Sequence, residues 1–201
     1  MGEGTITGAT AVILAGGAGR RMGRDKALIE LGGKPLAKYA AEGAAKVFGT
    51  VVISGPPSLS ALGFSVVSDE YAGGGPLSGI HAALSASDTD WIFVMPCDSP
   101  FVPEAFMRGI AAEAKDCDVV VPRHGRFYEP LHAMYHKRCL PHVKRLLDED
   151  EHKIVRLYEF VRVKELGPEL FEEWDPELLA FFNINTPEDM KKAEMLAERA
   201  D

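Results

Sequence analysis

A three-layer α/β/α sandwich around a mostly parallel β-sheet is the fold class that this sequence predicts. Three observations predict it. Short β-branched and apolar runs alternate with helical segments through residue 121, the pattern of strands joined by crossover helices. Glycine and proline punctuate the runs, so each strand is short and ends in a marked loop. The chain has 201 residues, 46% of them hydrophobic, enough for one core. A single domain over residues 1–201 is expected, with residues 1–8 as a short, polar, flexible N-terminus.

The elements follow in order. Residues 11–15 form an apolar run stopped by Gly16-Gly17, a buried strand feeding a loop. Residues 36–47 are alanine-rich and helical in pattern. Residues 51–54 are a second strand, closed by Gly55-Pro56-Pro57, and residues 64–68 a third. Gly73-Gly74-Gly75-Pro76 breaks the chain, and residues 77–87 read as a helix with Pro76 in its first turn. Residues 91–95 are a fourth strand ended by Pro96, 103–115 a helix and 118–121 a fifth strand. Beyond that the pattern loosens. Residues 126–135 alternate weakly, as in an antiparallel pair or hairpin. Residues 136–148 and 153–160 look helical, 161–166 and 181–184 look like strands, and Pro187 opens a C-terminal helix through Arg199. In such sheets ligands bind outside the carboxyl ends of the strands. Three loops, 16–26, 69–79 and 96–100, follow strand ends and are expected to meet on one rim.

Bulk composition narrows the function. The net charge is −8, without the basic stripe of a nucleic-acid binder. No run approaches the ~18 apolar residues of a membrane span, and no apolar signal core opens the sequence. Cys97, Cys117 and Cys139 are odd in number and irregularly spaced, which supports neither a disulfide framework nor a structural zinc site. A cytoplasmic protein is expected.

An acidic protein that binds a polyanion must concentrate its positive charge, and one segment does so. Leu14-Ala15-Gly16-Gly17-Ala18-Gly19-Arg20-Arg21-Met22-Gly23-Arg24-Asp25-Lys26 carries four cations within residues 20–26. Its glycines allow close backbone approach to a ligand, and successive N–H groups can face phosphate oxygens. An exposed turn with solvated charges is the other reading of the composition. Two phosphate motifs are excluded. A P-loop would need glycine where Leu28 stands, and Pro35 follows Gly33-Lys34. A dinucleotide fingerprint begins at Gly17 and Gly19 but meets Met22, and the second strand ends at Ser54 without an acid for a ribose.

The loop resembles the signature of the molybdenum cofactor guanylyltransferases, within the Rossmann-like nucleotidyltransferase superfamily. Four further segments resemble that family in order. They are Asp25-Lys26-Ala27-Leu28 continuing to Gly33-Lys34-Pro35-Leu36, Gly75-Pro76-Leu77-Ser78-Gly79-Ile80, Pro96-Cys97-Asp98-Ser99-Pro100-Phe101, and Phe182-Asn183-Ile184-Asn185-Thr186-Pro187-Glu188-Asp189. The resemblance spans residues 11 to about 195, while 123–180 carry little of it. It implies a nucleotide-diphospho-sugar-transferase-like sandwich. The implied reaction is transfer of GMP from GTP to molybdopterin, with release of pyrophosphate. A cytidylyl-transferring cofactor enzyme or a sugar-phosphate nucleotidyltransferase of the same superfamily is the alternative. Transient contact with cofactor-delivering or acceptor proteins is a further implication.

The resemblance places nucleotide contacts at Leu14, Ala15, Gly16, Gly17, Lys26, Ser54 and Asp69, with Lys26, Asp98 and Arg21 as catalytic groups. Ser54 departs from the asparagine that the family often shows, and a plain strand-end turn is its other reading. Asp69 can accept from guanine N1–H and the 2-amino group or from ribose, or can be a turn residue. Asp98 follows an apolar strand, where a carboxylate can hold Mg²⁺ with triphosphate oxygens and water. An N-cap is its other reading. Asn185, ahead of Asn183, is the candidate for a second metal oxygen, and turn formation before Pro187 is the other reading for both. His132 and His136 have i, i+4 spacing but sit at a strand-to-helix junction, which disfavours zinc. His81 falls one turn into the helix after Gly79, where core or surface placement outweighs a ligand contact.

Overall fold

The computed structural model describes residues 4–16, 26–71 and 73–200. Strand β1 (Ile6–Leu14) lies at the centre, parallel to β4 (Phe48–Ser54) on one side and to β6 (Trp91–Pro96) on the other. The sheet order is β10-β7-β9-β6-β1-β4-β5, where β5 is Ser65–Val67, β7 Val119–His124, β9 Ala133–His136 and β10 Val163–Leu166. Strand β9 is inserted antiparallel between β6 and β7, and β8 (Phe127–Tyr128) forms a hairpin with β7. The central strands β1, β6 and β7 are buried on both faces over most of their length, which explains their unbroken apolar runs.

Helices cover both faces. On one side α1 (Leu36–Ala45), α3 (Glu104–Ala112) and α5 (Pro168–Trp174) pack through Ala40, Phe106 and Phe171 against Ala11, Ile13 and Phe93 of the sheet. On the other, α2 (Gly75–Ala86) and α4 (Leu140–Asp148) pack through Ile80 and Val143 against Val12, Val94 and Val121. Alternate residues of β1 thus feed opposite layers, as a two-residue side-chain period requires. Helix α6 (Pro187–Ala200) closes over a small ribbon of β2 (Glu30–Leu31) and β3 (Lys34–Pro35), where Ala193 and Ile184 meet Leu31 and Leu36. Gly32 and Gly33, at φ +59° and +76°, make the ribbon's two-residue turn.

Three expectations need correction, and one helix was not expected. Strand β1 begins at Ile6, not at residue 11, so residues 6–8 belong to the sheet; Ile6 N–H donates to the Val47 carbonyl. Residues 181–184 form no strand: a 3-10 turn over Leu179–Phe181 ends there, and Ile184 N–H makes a single bond to the Asp98 carbonyl. The segment 153–160 is a 3-10 turn, Ile154–Glu159, rather than an α-helix. Helix α5 had no sequence counterpart. The weak alternation over 126–135 resolves into β8 and β9, both antiparallel to β7.

Candidate active site

The chain leaves β1 through α1 to β4 on one side, and later returns to β6 on the other. This is the topological switch where an open α/β sheet binds ligands. Register aligns the three strand ends: Leu14 stands opposite Ser54 and opposite Pro96. Beyond them Ala15 N–H bonds the Ser54 carbonyl at 2.8 Å, and Cys97 N–H bonds the Leu14 carbonyl at 3.0 Å. Gly16, Asp69 and Asp98 therefore share one rim. Leu14 is buried and Ala15 half-buried, whereas Gly16 is exposed at the mouth. A Cβ on Gly16 would lie 3.4 Å from the Asp69 carboxylate, so backbone and carboxylate already approach closely there.

Lys26 forms an ion pair with Asp98, and its Nζ donates to Asn185 Oδ1 at 2.8 Å. The three residues come from the 3-10 turn after the glycine-rich loop, the end of β6 and the segment before α6. Two oxygens, one carboxylate and one amide, thus converge on a single cation. The ammonium marks a point that a hard divalent ion could share with substrate phosphates, since Mg²⁺ asks for few protein ligands. No group of three or more His, Cys, Asp or Glu gathers among the described residues, so a dedicated all-protein metal cage is absent there. The donor set fits an ion that arrives with a nucleotide.

Asn185 is held by a helix cap. Asp189 Oδ2 accepts from Asn185 N–H at 3.0 Å and from Thr186 N–H at 2.9 Å, and Thr186 Oγ1 accepts from Asp189 N–H at 3.1 Å. This is a reciprocal capping box at the start of α6. Asn183 is turned elsewhere: its Oδ1 accepts from Ser99 Oγ at 2.7 Å. Asp98 does not cap a helix; its carboxylate faces Lys26 and its carbonyl holds Ile184.

Ser54 ends β4 beneath the rim. It is buried, and its Oγ donates to Asp69 Oδ1 at 3.1 Å. A side chain at the adjoining Gly79 would lie 2.8 Å from that hydroxyl, so α2 seals Ser54 from the rim. The Ser54 hydroxyl thus supports the Asp69 carboxylate. Burial raises the Asp69 pKa, and the Ser54 hydrogen bond partly offsets this. Tyr71, beyond Asp69, donates to Asp148 of α4 at 2.8 Å and packs edge-on against His81. That contact keeps His81 in the core, where burial lowers its pKa.

His132 and His136 make no shared site. His132 is wholly buried, packs against Phe181 and is pushed down to about 3 by desolvation. His136 Nδ1 accepts from Arg138 N–H at 3.0 Å. No disulfide joins the three buried cysteines, and no helix among the described residues is long and apolar enough to cross a membrane. Gly17, Arg20, Arg21 and Arg24 lie outside the described residues. The Lys26–Asn185 contact was not legible in the sequence, because it joins positions 159 residues apart.

The comparisons with known proteins agree with this geometry. The family model for the MobA-like NTP transferase domain matches residues 11–165. A Pelotomaculum thermopropionicum protein named probable molybdenum cofactor guanylyltransferase is 41% identical over 194 residues, covering 96% of this chain and 95% of its own length. The Vibrio cholerae molybdenum cofactor guanylyltransferase is 34% identical, over 89% of this chain and 88% of its own. The crystal structure of molybdopterin-guanine dinucleotide biosynthesis protein A from Archaeoglobus fulgidus superposes with a TM-score of 0.82 at 31% identity, covering 95% of this chain and 99% of that one. With the sheet order, the rim and the motifs in agreement, the chain belongs to the MobA-like NTP transferase domain family.

Proposed function

We propose that this protein transfers GMP from GTP to the terminal phosphate of molybdopterin, releasing pyrophosphate and giving the guanine dinucleotide form of the cofactor. The observation that carries the reading is the convergence of Lys26, Asp98 and Asn185 on one cation-sized point, beside Gly16 at the switch between β1 and β6. Relatives named as guanylyltransferases over nearly the whole chain give the base and the acceptor.

The chemistry follows from charge. The attacking group is a phosphate monoester, already an anion, so no general base is required. The obstacle is to bring two polyanions together in line. Asp98 and Asn185 would hold a Mg²⁺ ion, which would supply charge neutralisation at the phosphates. Lys26 exchanges its carboxylate partner for phosphate oxygens as the nucleotide enters, and Arg21 and the amides of Gly16 and Gly17 add positive charge along the triphosphate. Leu14 and Ala15 shape the floor under the nucleoside. Asp69, held by Ser54, takes the two donors on guanine's Watson–Crick edge. The reaction is assigned to the cytoplasm, with transient contact to the proteins that deliver or receive the cofactor.

The test is a thermal-shift and calorimetric panel of GTP, CTP, ATP and UTP, each with Mg²⁺. GTP is expected to bind tightest, and chelation of the metal to abolish pyrophosphate release. Asp69→Asn is expected to erode the preference for GTP more than it slows turnover, because an amide presents a donor to a donor. A wild-type preference for CTP would overturn the guanine assignment. Full GTP preference in Asp69→Asn would move Asp69 to the ribose or to a turn role.

A further inference from the structure

The two side-chain oxygens that converge on Lys26 come from segments far apart in sequence, so their spacing has to be fixed by contacts between those segments. Asp98 belongs to the loop after β6, and Asn185 to the segment before α6. The two segments run side by side in opposite directions. The Asp98 carbonyl accepts from Ile184 N–H at 2.9 Å, and the next residue, Ser99, donates its hydroxyl to Asn183 Oδ1 at 2.7 Å. One step the other way, the Asp98 and Asn185 side chains meet on the Lys26 ammonium.

Other contacts hold the second segment, but they refer it to other elements. The capping box ties Asn185 to α6, and Ile184 packs with Leu31 and Leu36 of the ribbon and α1. Registration against β6 falls to the Ile184 and Ser99 bonds. A single bond fixes a position, and a second bond one residue away fixes an orientation.

Ser99 is built for that duty. It is fully buried, and a hydroxyl taken from water costs stability unless it is bonded. Its N–H donates to the Pro96 carbonyl at 3.2 Å, in the turn that ends β6, which ties it to the rigid strand. At the receiving end, Asn183 Nδ2 donates to the Phe181 carbonyl at 3.2 Å. Both ends of that amide are therefore engaged, and Asn183 completes a brace between β6 and the segment that carries Asn185.

We propose that Ser99 is a positioning residue for the metal: by bracing Asn183 it sets the Asn185 amide oxygen at the spacing from the Asp98 carboxylate that Mg²⁺ requires. This rests on the reading of Asp98 and Asn185 as the protein ligands of the metal. Mg²⁺ demands near-ideal octahedral geometry at about 2.0–2.1 Å, whereas Ca²⁺ accepts looser arrangements at about 2.3–2.6 Å. A brace that acts on spacing therefore matters more for Mg²⁺ than for Ca²⁺. Groups behind the ligands commonly tune metal affinity in this way.

The experiment compares wild type, Ser99→Ala, Asn183→Ala and the double variant. GTP affinity is measured by calorimetry, without acceptor, in Mg²⁺, in Ca²⁺ and in EDTA. The ratio of affinity with metal to affinity in EDTA reads the contribution of the metal. In Ser99→Ala the Mg²⁺ ratio is expected to fall about three- to tenfold, the weight of one neutral hydrogen bond. The Ca²⁺ ratio is expected to fall less, and the affinity in EDTA to stay near wild type. Asn183→Ala is expected to do the same, and the double variant to lose no more than either single one, because each removes the same brace. An unchanged Mg²⁺ ratio in both single variants would overturn this inference alone. Equal losses of affinity in Mg²⁺, Ca²⁺ and EDTA would also overturn it, and make Ser99 a packing residue. A wild type that gains no GTP affinity from Mg²⁺ over EDTA would overturn the metal reading, and this inference with it.

Discussion

Asp98 and Lys26 form an ion pair across the rim of the site. Asp98 spends its carboxylate on Lys26 while its carbonyl holds Ile184, so its side chain and backbone have separate duties. Substituting Asp98→Ala removes only the first. The carbonyl bond to Ile184 survives, and Lys26 keeps Asn185. The variant is expected to fold with a thermal midpoint near wild type and to lose about 10² to 10³ in rate of pyrophosphate release, the usual cost of removing an electrostatic group at a reacting phosphate. Near-normal release at saturating Mg²⁺ would remove Asp98 from the metal role. The bond from Ile184 N–H to the Asp98 carbonyl also shows how segment 181–185 lies across the rim without joining the sheet. The amides of Phe181, Phe182 and Ile184 bond the carbonyls of Leu178, Leu179 and Asp98, and that of Asn185 the Asp189 carboxylate, in place of a ladder.

At the scale of elements, α2 shows how helix packing sets the site. Gly79 lies against β1 and β4, and a Cβ there would sit 2.7 Å from Leu14 Cδ2 and 2.8 Å from Ser54 Oγ. Gly79→Val is expected to lift α2 from the sheet, cost about 1–3 kcal/mol as overpacking does, and weaken GTP binding through the Ser54–Asp69 bond. A urea titration beside GTP calorimetry checks this, and unchanged values in both would show that α2 tolerates the shift. The same elements show what a sequence reading can reach. The β4 and β6 runs were legible because these apolar strands end at Gly55 and Pro96, and two of the rim loops followed from those ends. The start of β1 was hidden by Thr7 and Gly8, whose polarity and small size mask a strand. The insertion of β9 between β6 and β7 is a non-local pairing that no short pattern encodes. Helix α5 is only one and a half to two turns long, held in place by Trp174 against Gly109 of α3, a contact between distant positions. At the site, the shared rim of Gly16, Asp69 and Asp98 was legible from loops that follow strand ends, while the roles proposed for these residues and Lys26 came from the family resemblance. The supporting place of Ser54 was not legible, because it depends on the closeness of Gly79.

Across the whole molecule, each rim of the sheet carries one buried ionisable group, Asp118 or His132, whose contribution to stability is lost as pH falls. At the amino-end rim Asp118 ties β7 to β10 and to the turn after β9. It accepts from Arg138 Nε at 2.5 Å, and from Arg162 N–H at 3.0 Å and Nε at 3.1 Å. Those bonds, those of Arg162 first, hold its pKa far below the usual carboxylate range. Its contribution is complete above the ordinary value near 4 and is lost as pH falls below it. At the carboxyl-end rim His132 is buried with neither ring nitrogen bonded, and desolvation pushes it from 6.5 down to about 3. The unfolded chain takes a proton at 6.5 that the folded chain refuses, so stability falls from pH 6.5 toward 3, by up to about 1.4 kcal/mol per pH unit for one proton. His81 and His136 are shifted the same way, while Asp69, Glu129 and Asp175, raised by burial, oppose the trend nearer pH 4. Urea unfolding between pH 3 and 8 is therefore expected to show a loss beginning below 6.5, well before carboxylates titrate. His132→Phe keeps a ring against Phe181 and removes two unbonded nitrogens. It is expected to raise stability at pH 7 by about 1 kcal/mol and to flatten the slope between pH 6.5 and 4.5. Asp118→Asn is expected to lower stability at pH 7 by about 2 kcal/mol and to leave the slope above pH 5 as in wild type. A His132→Phe variant with the wild-type slope from 6.5 to 4.5 would show that another histidine governs that limb.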